Sequence, residues 1–193
     1  MMRWSGSSGA GKRWMERCTR RRSVGKKTGP NPTDRGKTGT KESLLVDGRG
    51  VPLGAVVAGA NVNDYKLLEA TLESSPIPRP DPRVPHSPAA GTEQGLCLDA
   101  DYFRVEIYET LERWGYTAHI RPVGSGSGAR ELTPAEANEL QILARRWVVE
   151  RTHSWLHRYR GLLIRWCKKG QNYLALLHFA CGLIAFKASG LLG

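Results

Sequence analysis

Two carboxylates in this sequence occupy positions suited to metal binding or acid–base chemistry. Asp99 ends the short apolar run LCLD, and ligands of open α/β sheets gather at the carboxyl ends of strands. Its carboxylate offers the oxygen ligands that Mg²⁺ prefers. The same residue precedes a predicted helix, and Asp is a preferred helix cap. Position alone therefore leaves both capping and metal binding open for Asp99.

Glu150 is the second candidate, and no other acid lies between residue 142 and the end of the chain. It lies in RRWVVERTHSWLHRYR, where helical spacing separates an apolar side from a polar one. The polar side is formed by Arg146, Glu150, Ser154 and His157. The alternative is an ordinary surface pair between Arg146 and Glu150, stabilising a helix by a few tenths of a kcal/mol.

Carboxylates of this kind support phosphoryl chemistry with two metal ions, held about 3.5–4 Å apart around the attacking and leaving oxygens. Two carboxylates are few for two ions, so a third is expected from elsewhere in the chain.

The charge distribution suggests an acidic partner, with nucleic acid the usual one for a basic chain. The 193 residues carry a net charge of +11. Residues 1–41 carry twelve Lys and Arg against two acids, residues 42–141 eight against fifteen, and residues 142–169 eight against one. An acidic centre between basic ends suits a metal site flanked by phosphate-binding surfaces, although ordinary solvated surface explains the pattern equally well.

The remaining composition predicts a cytoplasmic globular protein. Four cysteines without metal-binding spacing indicate reduced thiols, and no signal peptide is evident. The longest apolar run, residues 173–186, is short for a membrane span of roughly 20 residues. We therefore expect a buried helix there and no membrane partner.

The order of predicted elements is β-β-α-β-α-β-α-α, a mixed α/β domain. Residues 43–46 and 51–57 flank DGRG, which predicts a hairpin. Asn63 is predicted to cap the next helix, and Gly115 to end the following one. Thr133-Pro-Ala-Glu136 predicts the start of a helix reaching Trp155, and a final helix covers about residues 172–188. Residues 1–41 are predicted to be irregular.

Several long segments resemble the DDE transposases of bacterial insertion sequences, most closely the insertion-sequence-five group. The resemblance covers residues 25–193, whereas residues 1–24 fall outside it as a basic N-terminus. The matching segments are GPNPTDRGKTGTKESLLVDGRGVPLGAVVAGANVND, LCLDADY, RRWVVERTHSWLHRYRGLLIRW and NYLALLHFAC.

The resemblance implies a ribonuclease H-like fold, a mixed sheet with flanking helices, and a specific activity. In the family, two Asp and one Glu bind two Mg²⁺ ions that support DNA cleavage and strand transfer at the ends of the element. The implied partner is DNA, at the element ends and the target, with a homo-oligomer expected for a functional chain and a location at the nucleoid. Candidate DNA-binding residues are Arg145, Arg146, Arg151, Lys168 and Lys169.

The match assigns Asp99 as the second Asp and Glu150 as the catalytic Glu and metal ligand, with Arg146 as the basic residue four places earlier. Some positions depart from the family pattern. Asp101 replaces the usual Gly, His157 stands where related groups carry Lys, and Leu143 where they carry Tyr.

The first catalytic Asp is absent. In the family it belongs to an Asp-Gly pair on the first strand, but the corresponding window here reads WMERCTRRRSVG. Asp34 and Asp47 lie at other positions, and neither matches the family position of the first catalytic Asp. We therefore expect the first strand to be missing or scrambled.

The genetic code suggests a cause. Trp14, Met15 and Glu16 require the codons TGG, ATG and GAR, and reading from the third base gives GAT-GGA, Asp-Gly. The shifted codons of residues 21–25 permit Pro-Leu-Gly-Gly, as in the family. Our hypothesis is a frameshift before about residue 25 with a compensating shift there; the alternative is a genuine divergent arm. The predicted function is a DDE transposase, and the absence of the first Asp leaves open whether this chain is active or an inactive remnant. The alternative is a non-catalytic DNA-binding or interaction fragment.

Overall fold

The computed structural model places a mixed six-stranded sheet at the centre of the molecule. It describes residues 12–20 (backbone only), 26–32, 36–76, 94–120 and 147–191. The strands are β1 (Lys12–Arg20), β2 (Gly29–Pro30), β3 (Thr38–Val46), β4 (Pro52–Gly59), β5 (Gly95–Leu98) and β6 (Thr117–Ile120).

The strands are ordered β2-β3-β1-β5-β6, with β4 also paired to β3. β3 runs antiparallel to β1, β2 and β4, whereas β1, β5 and β6 run parallel to one another. β1 is therefore central, and joins the antiparallel half of the sheet to the parallel half.

Five α-helices accompany the sheet in the described part of the chain. They are α1 (Leu68–Glu73), α2 (Val105–Arg113), α3 (Trp147–Leu156), α4 (Arg160–Leu163) and α5 (Gly170–Ala188). Two 3₁₀ turns, Asp64–Leu67 and Ala100–Tyr102, precede α1 and follow β5. None of the helices described is both long and apolar enough to cross a membrane.

The presence of β1 corrects the alternative that the first strand is missing, and for residues 12–20 it corrects the prediction of irregular structure. Its backbone pairs with β3 from Arg13 opposite Val46 to Arg20 opposite Gly39. The physical reason is that main-chain groups make these hydrogen bonds whatever the side chains are. β3 and β5 would otherwise present unpaired backbone in the middle of the sheet.

The predicted hairpin is confirmed as β3 and β4, with its turn at Asp47–Gly50. One carboxylate oxygen of Asp47 accepts hydrogen bonds from the backbone N–H groups of Arg49 and Val51, each at 2.8 Å. Gly50 adopts φ +85°, which favours glycine. Asp47 is thus occupied in closing the turn, which agrees with its exclusion as a catalytic residue.

Other predictions hold with local differences. The strand at LCLD, the helix ending before Gly115 (φ +65°) and the long final helix are all present. Asn63 begins a 3₁₀ turn rather than an α-helix, and its side chain makes no capping bond. The predicted helix start at Thr133 lies outside the described residues.

Alternating residues of β3 build the core on both faces of the sheet. Leu44 and Val46 pack with Val148 and Val149 of α3 and with the apolar side of α5. Leu45 instead joins a second cluster that includes residues of α1, β5 and α2. Side chains of a strand point alternately to its two faces, so β3 supports both layers of helices.

Candidate functional site

Asp99 lies directly after β5, at the carboxyl end of a buried strand. Its Oδ1 accepts a hydrogen bond of 2.7 Å from the backbone N–H of Ala100, so it caps the 3₁₀ turn that follows. The side chain is partly exposed. The capping alternative is therefore present in the structure, and it fixes the direction in which the carboxylate leaves the strand.

Glu150 lies in the first turn of α3 and is exposed. The opposite side of this helix buries Val148, Val149 and Leu156 against the sheet. Within the described part of the chain, the Glu150 carboxylate makes no hydrogen bond or ion pair, and Arg146 lies outside that part. The packing leaves the Glu150 carboxylate available at the surface.

Both carboxylates belong to elements that border β1. β5, which precedes Asp99, is the parallel neighbour of β1, and α3 packs against β1 and β3. The pairs Lys12 with Leu96 and Arg13 with Cys97 set the β1–β5 register. Continued by two residues, that register places position 15 beside Asp99.

The candidate DNA-binding residues differ in their surroundings. Lys168 and Lys169 are exposed just before α5. Arg151 instead lies between two aromatic rings, with its guanidinium carbon 4.6 Å from the centre of Trp147 and 4.9 Å from that of Trp155. It also donates a hydrogen bond to the backbone oxygen of Arg49 in the hairpin turn. Through these contacts Arg151 holds α3 to the hairpin. Arg145 and Arg146 lie outside the described residues.

A buried polar cluster, which sequence reasoning missed, joins β3 to α3. Glu42 of β3 is fully buried, and His153 of α3 is 1% exposed. Glu42 Oε2 lies 3.8 Å from His153 Nδ1 and 3.6 Å from His157 Nε2. We call these three residues the Glu42 cluster. The detectable signal was the spacing of the two histidines, since residues four apart lie on one side of a helix.

Two residues of α5, Tyr173 and Cys181, interact with Glu42 of this cluster. The Tyr173 hydroxyl donates a hydrogen bond to Glu42 Oε1, and the Leu162 backbone oxygen lies 2.9 Å from the same hydroxyl. Burial raises the pKa of the Cys181 thiol from 9.0 to about 12, and the negative charge of Glu42 acts in the same direction. Glu42 is therefore the acidic centre of this part of the core.

Arg165 is a second buried polar residue that the sequence did not single out. Its guanidinium donates hydrogen bonds to the backbone oxygens of Lys26 (3.0 Å), Lys27 (3.1 Å) and Cys167 (3.1 Å), and to Thr40 Oγ1 (2.7 Å). The side chain is fully buried. It thus ties the segment before β2 to β3 and to the segment before α5.

The metal-binding candidates differ in donor chemistry. Asp99 and Glu150 offer only carboxylate oxygens, which fit Mg²⁺. The Glu42 cluster offers two imidazole nitrogens and one carboxylate, and its three ligand atoms lie within 4.8 Å of one another. Imidazole-rich sites suit zinc and related ions rather than Mg²⁺. The two groups therefore fit different metals.

Comparison with known proteins identifies relatives over most of the chain. The family model for the transposase DDE domain matches residues 12–184. A protein of Burkholderia cepacia, assigned as the transposase of insertion sequence element IS402, is 34% identical over 169 residues. The match spans 83% of this chain and 69% of that protein.

A solved structure shares the fold. The piggyBac transposase, in a cryo-EM structure of its synaptic complex with hairpin DNA, superposes with a TM-score of 0.50 at 12% identity. The superposition covers 94% of this chain and 48% of the piggyBac chain, so the present chain spans about half the length of that protein. The likeness supports the ribonuclease H-like fold expected from the sequence.

Proposed function

This chain belongs to the transposase DDE domain family, and we propose that its catalytic carboxylates are Asp99, Glu150 and a third group whose place is position 15 of β1. The proposed reaction is cleavage and strand transfer of DNA at the ends of an insertion sequence. The observation that carries the proposal is the β1–β5 register, because its continuation by two residues beyond the pair Arg13–Cys97 aligns position 15 with Asp99. In the alternate reading frame of the frameshift hypothesis, the Asp codon GAT spans the last base of codon 14 and the first two bases of codon 15.

The faces of the sheet distinguish position 15 from position 14. Directly opposite residues of an antiparallel pair share a face. Position 15 is opposite Leu44, which packs against α3, the helix of Glu150. Position 14 is opposite Leu45, which packs in the cluster on the other face. An Asp at position 15 therefore belongs to the face that α3 covers.

Mg²⁺ is the proposed cofactor, because three carboxylates would supply the hard oxygen ligands that it prefers. Bound there, Mg²⁺ would activate the attacking oxygen and stabilise the leaving oxygen. The present chain holds two of the three carboxylates. We expect its catalytic activity to be nearly abolished, because two carboxylates hold a pair of ions poorly.

The proposed partners are element-end and target DNA. The basic residues near α5 support this, and so does the family, whose members act on DNA. The proposed functional form is a homo-oligomer in the cytoplasm, associated with the nucleoid.

The decisive experiment restores the missing group. Purified Met15→Asp protein is incubated with Mg²⁺ and a plasmid that carries the ends flanking the gene, and cleavage is measured on gels. We expect cleavage to increase at least about a hundredfold over the original chain, the scale on which positioned catalytic groups act. Trp14→Asp is the matched control, since it adds the same charge one residue away on the other face.

Further variants test the two carboxylates already present. In the Met15→Asp background, Asp99→Ala and Glu150→Ala should each return cleavage to the level of the original chain. Cleavage that survives both substitutions would refute their catalytic assignment. DNA binding without any metal-dependent cutting in Met15→Asp would favour the alternative function, a non-catalytic DNA-binding or interaction fragment.

The frameshift hypothesis has its own test, the nucleotide sequence of the gene. The alternate frame should encode Asp-Gly followed by Thr or Ala, then a segment similar to Ala-Pro-Leu-Gly-Gly that ends near residue 25. If the alternate frame lacks these residues, residues 1–24 are a genuine divergent arm.

A further inference from the structure

We propose that Glu42, His153 and His157 form a separate binding site for one Zn²⁺ ion or a similar transition-metal ion. The site lies inside the fold, between β3 and α3. It is distinct from the proposed magnesium-binding carboxylates, because the Glu150 side chain is exposed whereas Glu42 and His153 are almost fully buried.

The distances are close to those of a metal site. With metal–ligand bonds of about 2.0–2.2 Å, tetrahedral ligands stand about 3.4 Å apart. The two histidine nitrogens lie 3.8 and 3.6 Å from Glu42 Oε2. These separations are too long for hydrogen bonds and need to contract by only a few tenths of an ångström around an ion.

The donor set specifies the class of metal. Two imidazoles and one carboxylate are a ligand set of zinc sites that keep a fourth position for water. The same set also suits iron(II), whereas Mg²⁺ prefers oxygen ligands in octahedral geometry. His157 is 13% exposed and the other two ligands are almost fully buried, so the open position lies on the His157 side.

The burial of Glu42 gives an independent reason to expect an ion. Its Oε2 atom is buried and accepts no hydrogen bond from the described part of the chain. A buried ionised carboxylate is costly unless an opposite charge or hydrogen bonds compensate it. A bound divalent cation would provide this compensation at Oε2, while Tyr173 holds Oε1.

Tyr173 provides the outer support that metal ligands need. A hydrogen bond to a ligating carboxylate fixes its orientation, and such partners strengthen metal binding. The cluster joins β3, α3 and, through Tyr173, α5. We therefore expect the ion to stabilise the packing of the helix that carries Glu150.

An ion pair is the competing explanation. Position 17 of β1, an arginine, stands directly opposite Glu42 in the sheet register. An arginine that compensated Glu42 would make a metal unnecessary. The protein would then bind no Zn²⁺ at this site, and this outcome would overturn the proposal.

Zinc binding to the full chain tests the proposal without DNA. The protein is stripped with a chelator and titrated with Zn²⁺ by calorimetry, and with Co²⁺ as a spectroscopic probe. We expect one equivalent of metal to bind and the Tm of the protein to rise. The visible absorption spectrum of bound Co²⁺ should indicate a low coordination number. Excess Mg²⁺ should not displace the ion.

Variants assign the ligands. His157→Gln and Glu42→Gln should each weaken Zn²⁺ binding at least about tenfold, or by 1.4 kcal/mol or more. His178→Gln is the matched control, because its ring nitrogen lies 2.9 Å from the Ala55 backbone oxygen rather than at the cluster. Asp99→Asn should also retain binding, which separates this result from the fate of the proposed catalytic site.

A measurement on the unmodified protein covers the case in which a variant fails to fold. Zn²⁺ should protect His157 from modification by diethylpyrocarbonate, as followed by peptide mass spectrometry, and leave His178 unprotected. Unchanged modification of His157 at saturating Zn²⁺, or equal Zn²⁺ affinity of folded His157→Gln, would overturn the proposal.

Discussion

Tyr173 of α5 donates its hydroxyl hydrogen bond to the fully buried carboxylate of Glu42 in β3. The substitution Tyr173→Phe keeps the ring and removes only the hydroxyl. It leaves a buried acceptor without its donor, a change that costs about 1–3 kcal/mol. We expect the free energy of unfolding, measured in urea, to fall by this amount.

Tyr159→Phe is the control for this prediction. Tyr159 packs at the edge of the same core, and its hydroxyl makes no hydrogen bond within the described residues. We expect it to change stability by less than about 0.5 kcal/mol. Equal effects of the two substitutions would show that the Tyr173–Glu42 hydrogen bond contributes nothing.

Arg165→Lys should destabilise the protein although it keeps the positive charge. The guanidinium donates to four separate oxygens, and a lysine ammonium has three donors and no planar fork. At least one buried oxygen loses its partner, so we expect a loss of about 2–4 kcal/mol. Thermal unfolding followed by circular dichroism measures it.

Arg160→Lys, on the exposed side of the short helix α4, is the matched substitution. It should leave the Tm unchanged within about 1–2 °C, as expected of most surface changes. If Arg165→Lys were equally mild, the Arg165 contacts to the segment before β2 would not contribute to stability.

Gly50→Ala tests the contact between the hairpin turn and α3. An added Cβ would lie 2.9 Å from Thr152 Oγ1 and 3.2 Å from an Arg151 nitrogen, and the residue has φ +85°. Gly36 is the control, with φ +70° and, its chain neighbours aside, no atom of the described residues within 4 Å of its Cβ position. Both alanines incur the backbone cost of roughly 1 kcal/mol, and only Gly50→Ala adds crowding. Chemical denaturation should therefore show the larger loss for Gly50→Ala.

The sequence was sufficient to predict elements whose signals are local. The hairpin depends on Asp47 and Gly50 in its turn, and the end of α2 on Gly115, so neighbouring residues determine each feature. The long apolar run of residues 173–186 likewise predicted α5. These predictions needed no knowledge of distant contacts.

The features that the sequence could not predict depend on pairs far apart in the chain. Glu42 and Tyr173 are 131 residues apart, and Arg165 bonds Lys27 across 138 residues. β1 was also missed. Its sequence shows no strand pattern, and its pairing with β3 and β5 is made by backbone groups. The positions of Asp99 and Glu150 made them candidates and the family resemblance suggested their roles, whereas the Glu42 cluster required the assembled fold.

Stability at high pH should report the environment of Cys181. Its folded pKa of about 12 lies above the ordinary value of 9.0, so the unfolded chain loses this proton first. The contribution of Cys181 is therefore fully present below pH 9 and is lost as the pH rises toward 12. Each pH unit in this window costs up to about 1.4 kcal/mol.

Cys181→Ala removes this dependence. Urea denaturation at pH 8 to 11 should show a shallower decline of stability for Cys181→Ala than for the original chain. Cys167→Ala should retain the original slope, because it leaves Cys181 in place. Parallel curves for the original chain and Cys181→Ala would contradict the assignment of a raised pKa to this thiol.

Lys168 and Lys169 are candidates for binding DNA phosphates. Both side chains are exposed, just before the N-terminus of α5. Replacing both with Ala should weaken duplex binding and reduce the salt dependence, with log K against log salt changing slope by about 0.9 for each lost phosphate contact. Lys187→Ala, which removes an exposed charge at the other end of α5, should leave that slope unchanged. Fluorescence anisotropy with a labelled duplex at several salt concentrations makes the measurement. An unchanged slope in the double variant would exclude these lysines as phosphate ligands, because contacts that release counterions cannot be lost without changing it.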